Sequence, residues 1–239
     1  FRYLGSSLLA GLKSTRQLAL TLTALCFFSS MLITNDVSLI TFVPFSVLIL
    51  NMAGLPELLI PVIVLQTIAA NLGSMATPIG NPQNLYLYST FGLSAGTLIR
   101  YMLPLTVFSA LLLVIAVFLL KNRPLSIDRT AMDETILPER SSLIFYLALF
   151  LVCLGCVVRI YSWHVMFLVV LAAVLVKDRT LFFRVDYFLL LTFVCFFVFI
   201  GNMERIPAVS SLLTRLISGR EFAAGVLLSQ CISNVPAAI

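Results

Sequence analysis

The chain alternates between long apolar segments and short polar ones. A helix that spans a bilayer needs about 20 predominantly apolar residues, and several of these segments approach or reach that length. The pattern therefore predicts an all-α polytopic membrane protein. The main apolar segments cover residues 17–33, 37–52, 58–76, 99–120, 143–158, 163–176 and 187–200.

One apolar segment is interrupted where a spanning helix should continue. The stretch Thr77–Asn84 contains two prolines and a glycine. Proline removes an amide donor and clashes with the preceding turn. Irregular backbone at membrane depth is tolerated only where it lines a protein cavity. We therefore predict a discontinuous transmembrane helix over 57–90, whose break offers backbone groups, Thr77, Asn81 and Asn84 to a solute.

Residues 17–53 form a second unusual pattern, in which two apolar arms flank a polar tip. The tip is Thr34-Asn35-Asp36, each arm is about 16 residues long, and Pro44 interrupts the second arm. Arms of this length are short for complete crossings. The pattern favours a re-entrant hairpin, which enters and leaves the membrane on the same side.

A polar stretch at 121–142 divides the chain. Its basic residues predict a cytoplasmic linker, because Lys and Arg are enriched in cytoplasmic loops. Residues 1–120 then form a first repeat that contains the hairpin, the broken helix and a span at 99–120. Residues 143–239 form a second repeat. Because the chain starts at Phe1 and stops just after a polar motif, we expect a fragment whose second repeat is incomplete at its C-terminal end.

The two repeats are predicted to be inverted. With the basic loops in the cytoplasm, the first hairpin enters from inside, and residues 221–239 enter from outside. Opposed re-entrant elements are typical of inverted-repeat transporters. Ile33-Thr34-Asn35 also aligns with Ile232-Ser233-Asn234. This short match gains weight because the topology places both tripeptides at the middle of the membrane.

Composition excludes several classes of function. The chain is 61% hydrophobic and 10% charged, against about 25% charged residues in soluble domains. Its formal charge of +5 is spread over several loops, which fits cytoplasmic loops better than a nucleic-acid surface. The chain has no phosphate-loop motif and a single histidine. We therefore expect neither an ATP-driven pump nor an enzyme, and no cofactor other than Na⁺ as a coupling ion.

Asp36 is the acid that lies between apolar arms. An ionisable residue at membrane depth is a functional hypothesis by default, so Asp36 is a candidate proton carrier, cation ligand or conformational latch. The alternative is a structural role, in which its carboxylate caps the second arm.

Amides and hydroxyls at the tips complete the candidate chemistry. Hard cations take oxygen ligands, while anions favour amide donors and helix N-termini. Two hairpin tips and a broken helix supply both kinds of group, which predicts a shared site. The oxygen-bearing candidates are Thr34, Asn35, Thr77, Ser233 and Asn234.

The segment Ala76–Asn84 resembles the broken-helix loop of the divalent anion–sodium symporters. These belong to the ion transporter superfamily, with arsenite permeases, citrate–metal transporters and one type of sodium–proton antiporter. The resemblance implies homodimers with a scaffold domain and a transport domain, and a second broken helix after Ile239. It implies a sodium site lined by Thr34, Asn35 and Gly80. It implies a substrate site bordered by Asn35, Asp36, Asn81, Asn234 and Val235.

The chain departs from the symporters at both tips. They carry Ser-Asn-Thr, whereas this chain has Thr-Asn-Asp and Ser-Asn-Val-Pro. A carboxylate beside the site disfavours a second negative charge unless it is protonated or paired. Proton coupling through Asp36 is therefore an alternative to sodium coupling.

The expected function is secondary active transport of a small anionic solute, such as a carboxylate or citrate. Transport would be coupled to Na⁺ or H⁺ by alternating access, in the plasma membrane of a bacterium or archaeon. The alternatives are efflux of arsenite-like oxyanions and Na⁺/H⁺ antiport. A non-transporting membrane scaffold is the hypothesis from another class.

Overall fold

The computed structural model describes residues 12–125, 140–185, 187–208, 211, 215 and 217–232. These residues form helices joined by turns, which confirms the all-α prediction. The chain divides into two compact units, Phe1–Leu147 and Ala148–Ile239. The α-helices are α1 Thr15–Ile33, α2 Asn35–Met52, α3 Leu59–Ser74, α4 Pro82–Thr90, α5 Ala95–Phe118, α6 Arg140–Val157, α7 Trp163–Lys177, α8 Tyr187–Glu204 and α9 Glu221–Ile232.

Helices α1 and α2 form a helical hairpin at the predicted position, and its tip is shorter than expected. Thr34 is the one residue between them, and its φ of 77° lies in the region that favours glycine. Pro44 lies inside α2 and does not interrupt it, contrary to expectation. The buried residues Phe42 and Ser46 hold this part of α2 in the bundle, and packing of this kind lets membrane helices accommodate proline.

The arms of the hairpin are also longer than predicted. Helix α1 has 19 residues and α2 has 18, and both are long and apolar enough to cross a membrane. The same is true of the helical segment Pro56–Ser74 and of α5. The four helices confirm a multi-pass architecture, while re-entrant geometry and inverted repeats remain predictions.

Helix is interrupted where the sequence predicts a break, while one discontinuous transmembrane helix over 57–90 remains a prediction. A 3-10 turn at Pro56–Leu58 leads into α3, which ends at Ser74, and helix resumes with α4 at Pro82. The break therefore covers residues 75–81 and not Thr77–Asn84. It ends earlier than expected because Asn81 caps α4 and Pro82 takes the first helical position, where its missing N–H is not required.

Helices α1, α2 and α3 pack around one core, to which α5 contributes Leu113 and Val117. Helices α1 and α3 approach each other closely at Gly73 of α3. A Cβ atom at this position would lie 2.1 Å from the Phe27 carbonyl oxygen and 2.7 Å from Ser30 Oγ. Small residues of this kind let membrane helices approach backbone to backbone. The α1–α3 contact therefore depends on the absence of a side chain at Gly73.

The start of α1 is tied to the end of α5. Thr15 Oγ1 donates to the Lys121 carbonyl at 3.0 Å and accepts from the Arg123 amide at 3.0 Å. The Arg16 guanidinium donates to the Leu120 carbonyl at 2.8 Å. These bonds satisfy carbonyls that a helix C-terminus leaves without intrahelical partners. They fix the end of the bundle that lies opposite the hairpin tip.

The remaining boundaries follow the prediction closely. The span expected at 99–120 is α5, which begins four residues earlier because Ser94 caps it. Helix α6 begins at Arg140, so the last residues of the predicted linker are helical, while residues 126–139 lie outside the described residues. In the second unit, the Tyr161 hydroxyl donates to the Val152 carbonyl and packs on Gly155.

We expect Gly73→Ala to destabilise the protein, because the added methyl group would overlap the Phe27 carbonyl. Overpacking of this kind typically costs about 1–3 kcal/mol. The matched control is Gly96→Ala in α5, where the nearest atom to a new Cβ is 3.9 Å away. Thermal unfolding in detergent should show a lower midpoint for Gly73→Ala alone. Equal midpoints for the two variants would contradict the close packing at Gly73.

Candidate functional site

The hairpin tip and the helix break lie side by side and are hydrogen-bonded to each other. The backbone N–H of Asn35 donates to the Gly80 carbonyl at 3.0 Å. The Thr77 hydroxyl donates to the Met31 carbonyl at 2.5 Å. Segments that are about 45 residues apart in the sequence are thus fixed together. The structure brings together the predicted residues Thr34, Asn35, Thr77, Gly80, Asn81 and Asn84.

The Asn84 side chain closes the break from within. Its Nδ2 donates to the Met75 and Thr77 carbonyls at 3.0 Å each, and more weakly to the Ser74 carbonyl at 3.4 Å. These carbonyls follow the end of α3 and have lost their helical partners. The side chain is buried. Its amide group therefore stabilises the irregular backbone, and a role in substrate binding remains a prediction.

Asn81 links the break to both flanking helices. Its Oδ1 accepts from the backbone N–H of Asn84 at 2.8 Å, and this bond caps α4. Its Nδ2 donates to Ser74 Oγ at 3.2 Å, and Ser74 Oγ donates to the Asn71 carbonyl at 2.9 Å. Asn81 is buried and both ends of its amide are bonded. In this conformation it is a structural link, and its contact with a solute is likewise still a prediction.

Gly80 is required by the path of the loop. A Cβ atom there would lie 1.9 Å from the Ser74 carbonyl oxygen. Glycine alone permits this approach, because any side chain would push the loop away from α3. The same glycine supplies the carbonyl that accepts from Asn35, so the fold of the loop determines where the hairpin tip is held.

At the tip, the structure assigns the capping role to Thr34 and not to Asp36. Thr34 Oγ1 accepts from the Val37 amide at 3.4 Å. Asp36 lies in the first turn of α2 and is exposed, and its carboxylate makes no hydrogen bond or ion pair with any described residue. The proposal that Asp36 caps the second arm is therefore wrong. The helix N-terminus still favours its negative charge.

Asn35 presents an acceptor that has no partner among the residues the structure describes. Its Nδ2 donates to Asn71 Oδ1 at 3.1 Å, and Asn71 Nδ2 donates to the Thr67 carbonyl at 2.8 Å. Because the side-chain NH₂ group of Asn35 is bonded to Asn71, the Oδ1 of Asn35 points away from Asn71. This Oδ1 is buried and unbonded. An unbonded buried acceptor is unfavourable by about 1–3 kcal/mol and suits a hard cation.

Asn71 and Ser74 escaped the sequence prediction because they lie within an apolar segment. A usable signal was their spacing from Thr67, since three polar residues at intervals of four and three share one helix face. Asp36 is the only ionisable residue within 30–38 and 71–84. The predicted site residues Ser233, Asn234 and Val235 lie outside the described residues, and their place in the site remains a prediction.

The chain matches the family described as citrate transporter across residues 1–239. It belongs to this family. The match agrees with the resemblance that the helix break carries, since citrate–metal transporters are part of the same superfamily. The family is one of transporters and not of enzymes.

Two curated relatives support the assignment. The chain is 33% identical over 230 residues to the "uncharacterized transporter MJ0456" of Methanocaldococcus jannaschii, with 95% of this chain and 62% of the relative covered. It is 28% identical over 243 residues to "inner membrane protein YbiR" of Escherichia coli K12, with 100% of this chain and 64% of the relative covered. The chain thus spans less than two thirds of each relative. No solved structure matches it.

Family membership and the four membrane-length helices give a multi-pass protein of the plasma membrane, as predicted from the apolar segments.

We expect Asn84→Asp to destabilise the protein strongly at neutral pH. The substitution keeps the shape of the side chain but replaces its donor with a carboxylate, which repels the carbonyls that Asn84 now binds. Loss of bonds to buried groups should cost about 1–3 kcal/mol or more. Thermal unfolding in detergent measures the effect.

The control is Gln83→Glu, the same chemical change one residue earlier. Gln83 lies in the first turn of α4 and is half-buried, where a carboxylate interacts favourably with the helix dipole. This variant should unfold near the wild-type temperature. An equally small effect of Asn84→Asp would mean that its amide does not hold the break closed.

Proposed function

We propose that the full-length protein, as a homodimer, is a secondary active transporter of a small anionic solute with citrate-like carboxylate chemistry. Uptake is driven by Na⁺ or H⁺ through alternating access. Family membership supports transport. The observation that carries the site is the buried Oδ1 of Asn35, which has no partner among the described residues, at the junction of the hairpin tip and the helix break.

The oxygen chemistry of that junction supports sodium as the coupling ion. Asn35 Oδ1 is a neutral oxygen ligand of the kind that hard cations accept. Thr34 offers a hydroxyl at the same tip. Gly80 offers a carbonyl whose position is fixed by a hydrogen bond from the backbone N–H of Asn35. Thr77 adds a second hydroxyl, although it now donates to the Met31 carbonyl. The proposed Na⁺ ligands are therefore drawn from both elements, so binding would strengthen the contact between them.

The same junction offers a place for an anion. Helices α2 and α4 both begin there, at Asn35 and Pro82, and helix N-termini attract negative charge. Broken helices of transporters use their half-helix ends in this way. Asp36 opposes the anion, because like charges disfavour each other in one site. A cation bound at Asn35, or a proton on Asp36, would relieve this repulsion and couple the two solutes.

Proton-coupled efflux of an oxyanion, or Na⁺/H⁺ antiport, is the second candidate. It is favoured by one observation, which is that Asp36 is exposed and carries no ion pair with any described residue. Family membership argues against a non-transporting scaffold.

The first test is solute flux into proteoliposomes that contain the full-length protein. We expect uptake of radiolabelled citrate under an imposed Na⁺ or H⁺ gradient, and arsenite and Na⁺ are tested in parallel. If Asp36 carries the coupling proton, Asp36→Asn should abolish pH-driven flux while retaining solute binding. If Na⁺ couples transport, the variant should retain Na⁺-driven flux.

The control for this variant is Glu57→Gln, which neutralises a carboxylate at the opposite end of the bundle. Glu57 pairs with Arg123 at 2.9 Å, and both side chains are about half-exposed, so it should leave the pH dependence of flux unchanged. Absence of flux for every solute under either gradient would overturn the transporter proposal. Unchanged pH dependence in Asp36→Asn would remove the proton role alone.

The second test concerns Na⁺ itself. A ligand at 100 times its Kd stabilises the folded state by about 2.7 kcal/mol, so Na⁺ should raise the unfolding temperature relative to choline at equal ionic strength. Asn35→Leu should abolish this rise. Asn51→Leu, at the other end of the same helix α2, is the matched control and should keep it. A Na⁺-dependent rise that survives in Asn35→Leu would place the ion elsewhere.

A further inference from the structure

A cleft of about 470 Å³ lies at the end of the bundle opposite the hairpin tip. The start of α1, the 3-10 turn at Pro56–Leu58 and the end of α5 form its walls, and we call it the α1–α5 cleft. Its apolar lining consists of the leucines Leu55, Leu58, Leu119 and Leu120. Its charged lining consists of Glu57, Lys121 and Arg123. The cleft thus combines apolar surface with cationic side chains, and none of these residues belongs to the site described above.

Positive charge exceeds negative charge around the α1–α5 cleft. Within residues 12–125, the acid at this end of the bundle is Glu57, and the basic residues are Lys13, Arg16, Lys121 and Arg123. Arg123 Nη1 donates to Glu57 Oε1 at 2.9 Å, which uses one of the five N–H donors of the guanidinium. The Lys121 ammonium has no ion pair with any described residue. Cationic donors therefore remain for an anion.

Hydrogen bonds to the start of α1 hold the backbone of the two cationic residues. Thr15 is 2% exposed, and its Oγ1 bonds the Lys121 carbonyl and the Arg123 N–H at 3.0 Å each. The backbone N–H of Thr15 donates to the Arg123 carbonyl at 3.0 Å, and that of Leu125 donates to the Lys13 carbonyl at 2.9 Å. Because the turn after α5 is held in this way, a ligand of both side chains meets charges that are already in place.

The two cations follow a helix that is long enough to cross the hydrocarbon core. Helix α5 has 24 residues and ends at Phe118, so it is about 36 Å long at 1.5 Å per residue, against a core of about 30 Å. Lys121 and Arg123 come shortly after its end, where lipid head groups are found. Leu119 is 80% exposed and offers apolar surface at the same level. This end of α5 is predicted to be cytoplasmic, and the cytoplasmic leaflet carries anionic lipids.

We propose that the α1–α5 cleft binds the phosphate head group of an anionic phospholipid. Lys121 and Arg123 contact the phosphate, and the leucines contact the glycerol and the acyl chains. A free phosphate ion would gain nothing from the apolar lining, whereas a lipid buries apolar surface there. A zwitterionic lipid would bring its own positive charge close to the two cations. The site is independent of the proposed transport function, since it shares no residue with the junction of the hairpin tip and the break.

The test is lipid binding to the full-length protein in detergent, measured by native mass spectrometry. We expect phosphatidylglycerol to bind more tightly than phosphatidylcholine. Lys121→Gln combined with Arg123→Gln should raise the Kd for phosphatidylglycerol about 30-fold, from the typical contribution of two basic residues at an anionic lipid surface. The Kd for phosphatidylcholine should change little. No preference for phosphatidylglycerol in the wild type, or a preference that the double variant retains, would overturn the proposal.

The matched control is Lys177→Gln combined with Arg179→Gln. This pair has the same Lys-x-Arg spacing at the end of α7 and does not line the cleft, so its Kd for phosphatidylglycerol should stay within about twofold of wild type. An equal loss in both double variants would mean that any basic pair attracts the lipid, which contradicts a site in the cleft.

A second variant separates lost charge from lost folding. Lys121→Arg combined with Arg123→Lys keeps both charges and should retain the preference for phosphatidylglycerol. The ion pair of Arg123 with Glu57 is half-exposed, and such pairs contribute little to stability. Both variants of this pair should therefore unfold near the wild-type temperature without added lipid. Loss of the preference in the charge-retaining variant would contradict binding through the two charges.

Inorganic phosphate distinguishes a lipid from a soluble anion. Phosphatidylglycerol should raise the unfolding temperature of the wild type by several degrees relative to phosphatidylcholine, because a ligand of the folded state stabilises it. Potassium phosphate should have no such effect relative to potassium chloride at equal ionic strength. A rise with phosphate that Lys121→Gln combined with Arg123→Gln abolishes would assign the cleft to a soluble anion and reject the lipid.

Discussion

The structure depends on the satisfaction of backbone polar groups at a break in a membrane helix. Hydrocarbon offers no hydrogen bonds, so a break survives only if the protein supplies partners for the released carbonyls. Here one amide, that of Asn84, bonds three of them, and Asn81 caps the helix that follows. The remaining bonds run outwards to the hairpin, through Thr77 and Gly80. The break is therefore stable because the hairpin tip is beside it.

Close backbone contacts at two glycines hold the break and the hairpin together. Gly73 brings α3 against the backbone of α1, and Gly80 folds the loop back onto the end of α3. These contacts hold the tip of the hairpin, and the bonds of Thr15 to the end of α5 hold its other end. A binding site for a small ion needs ligands held within fractions of an ångström, and rigid neighbours supply this.

The sequence was sufficient for the class, the broken helix and the meeting of the hairpin with the break. Two prolines and a glycine within a few residues are incompatible with a continuous apolar helix. It was not sufficient for boundaries, because Thr34 alone turns the chain and Pro82 starts a helix rather than ending one. Nor did it predict Asn71 or Ser74, since a polar residue in an apolar segment shows its partners only after the helices are packed. Asn81 and Asn84 were predicted as ligands, whereas the structure uses both to hold the loop.

The backbone of Thr34 is strained in the turn between α1 and α2. Its φ of 77° and ψ of 152° belong to a region that glycine occupies freely and that strains a β-branched residue, typically by about 1–3 kcal/mol. Glycine would relax the turn but would remove the hydroxyl that caps α2. The turn of the hairpin is thus more strained with threonine than it would be with glycine. The strain energy lies in the backbone of Thr34, the residue next to Asn35. A bound ion that used this hydroxyl would find its ligand already held in position by the strained backbone.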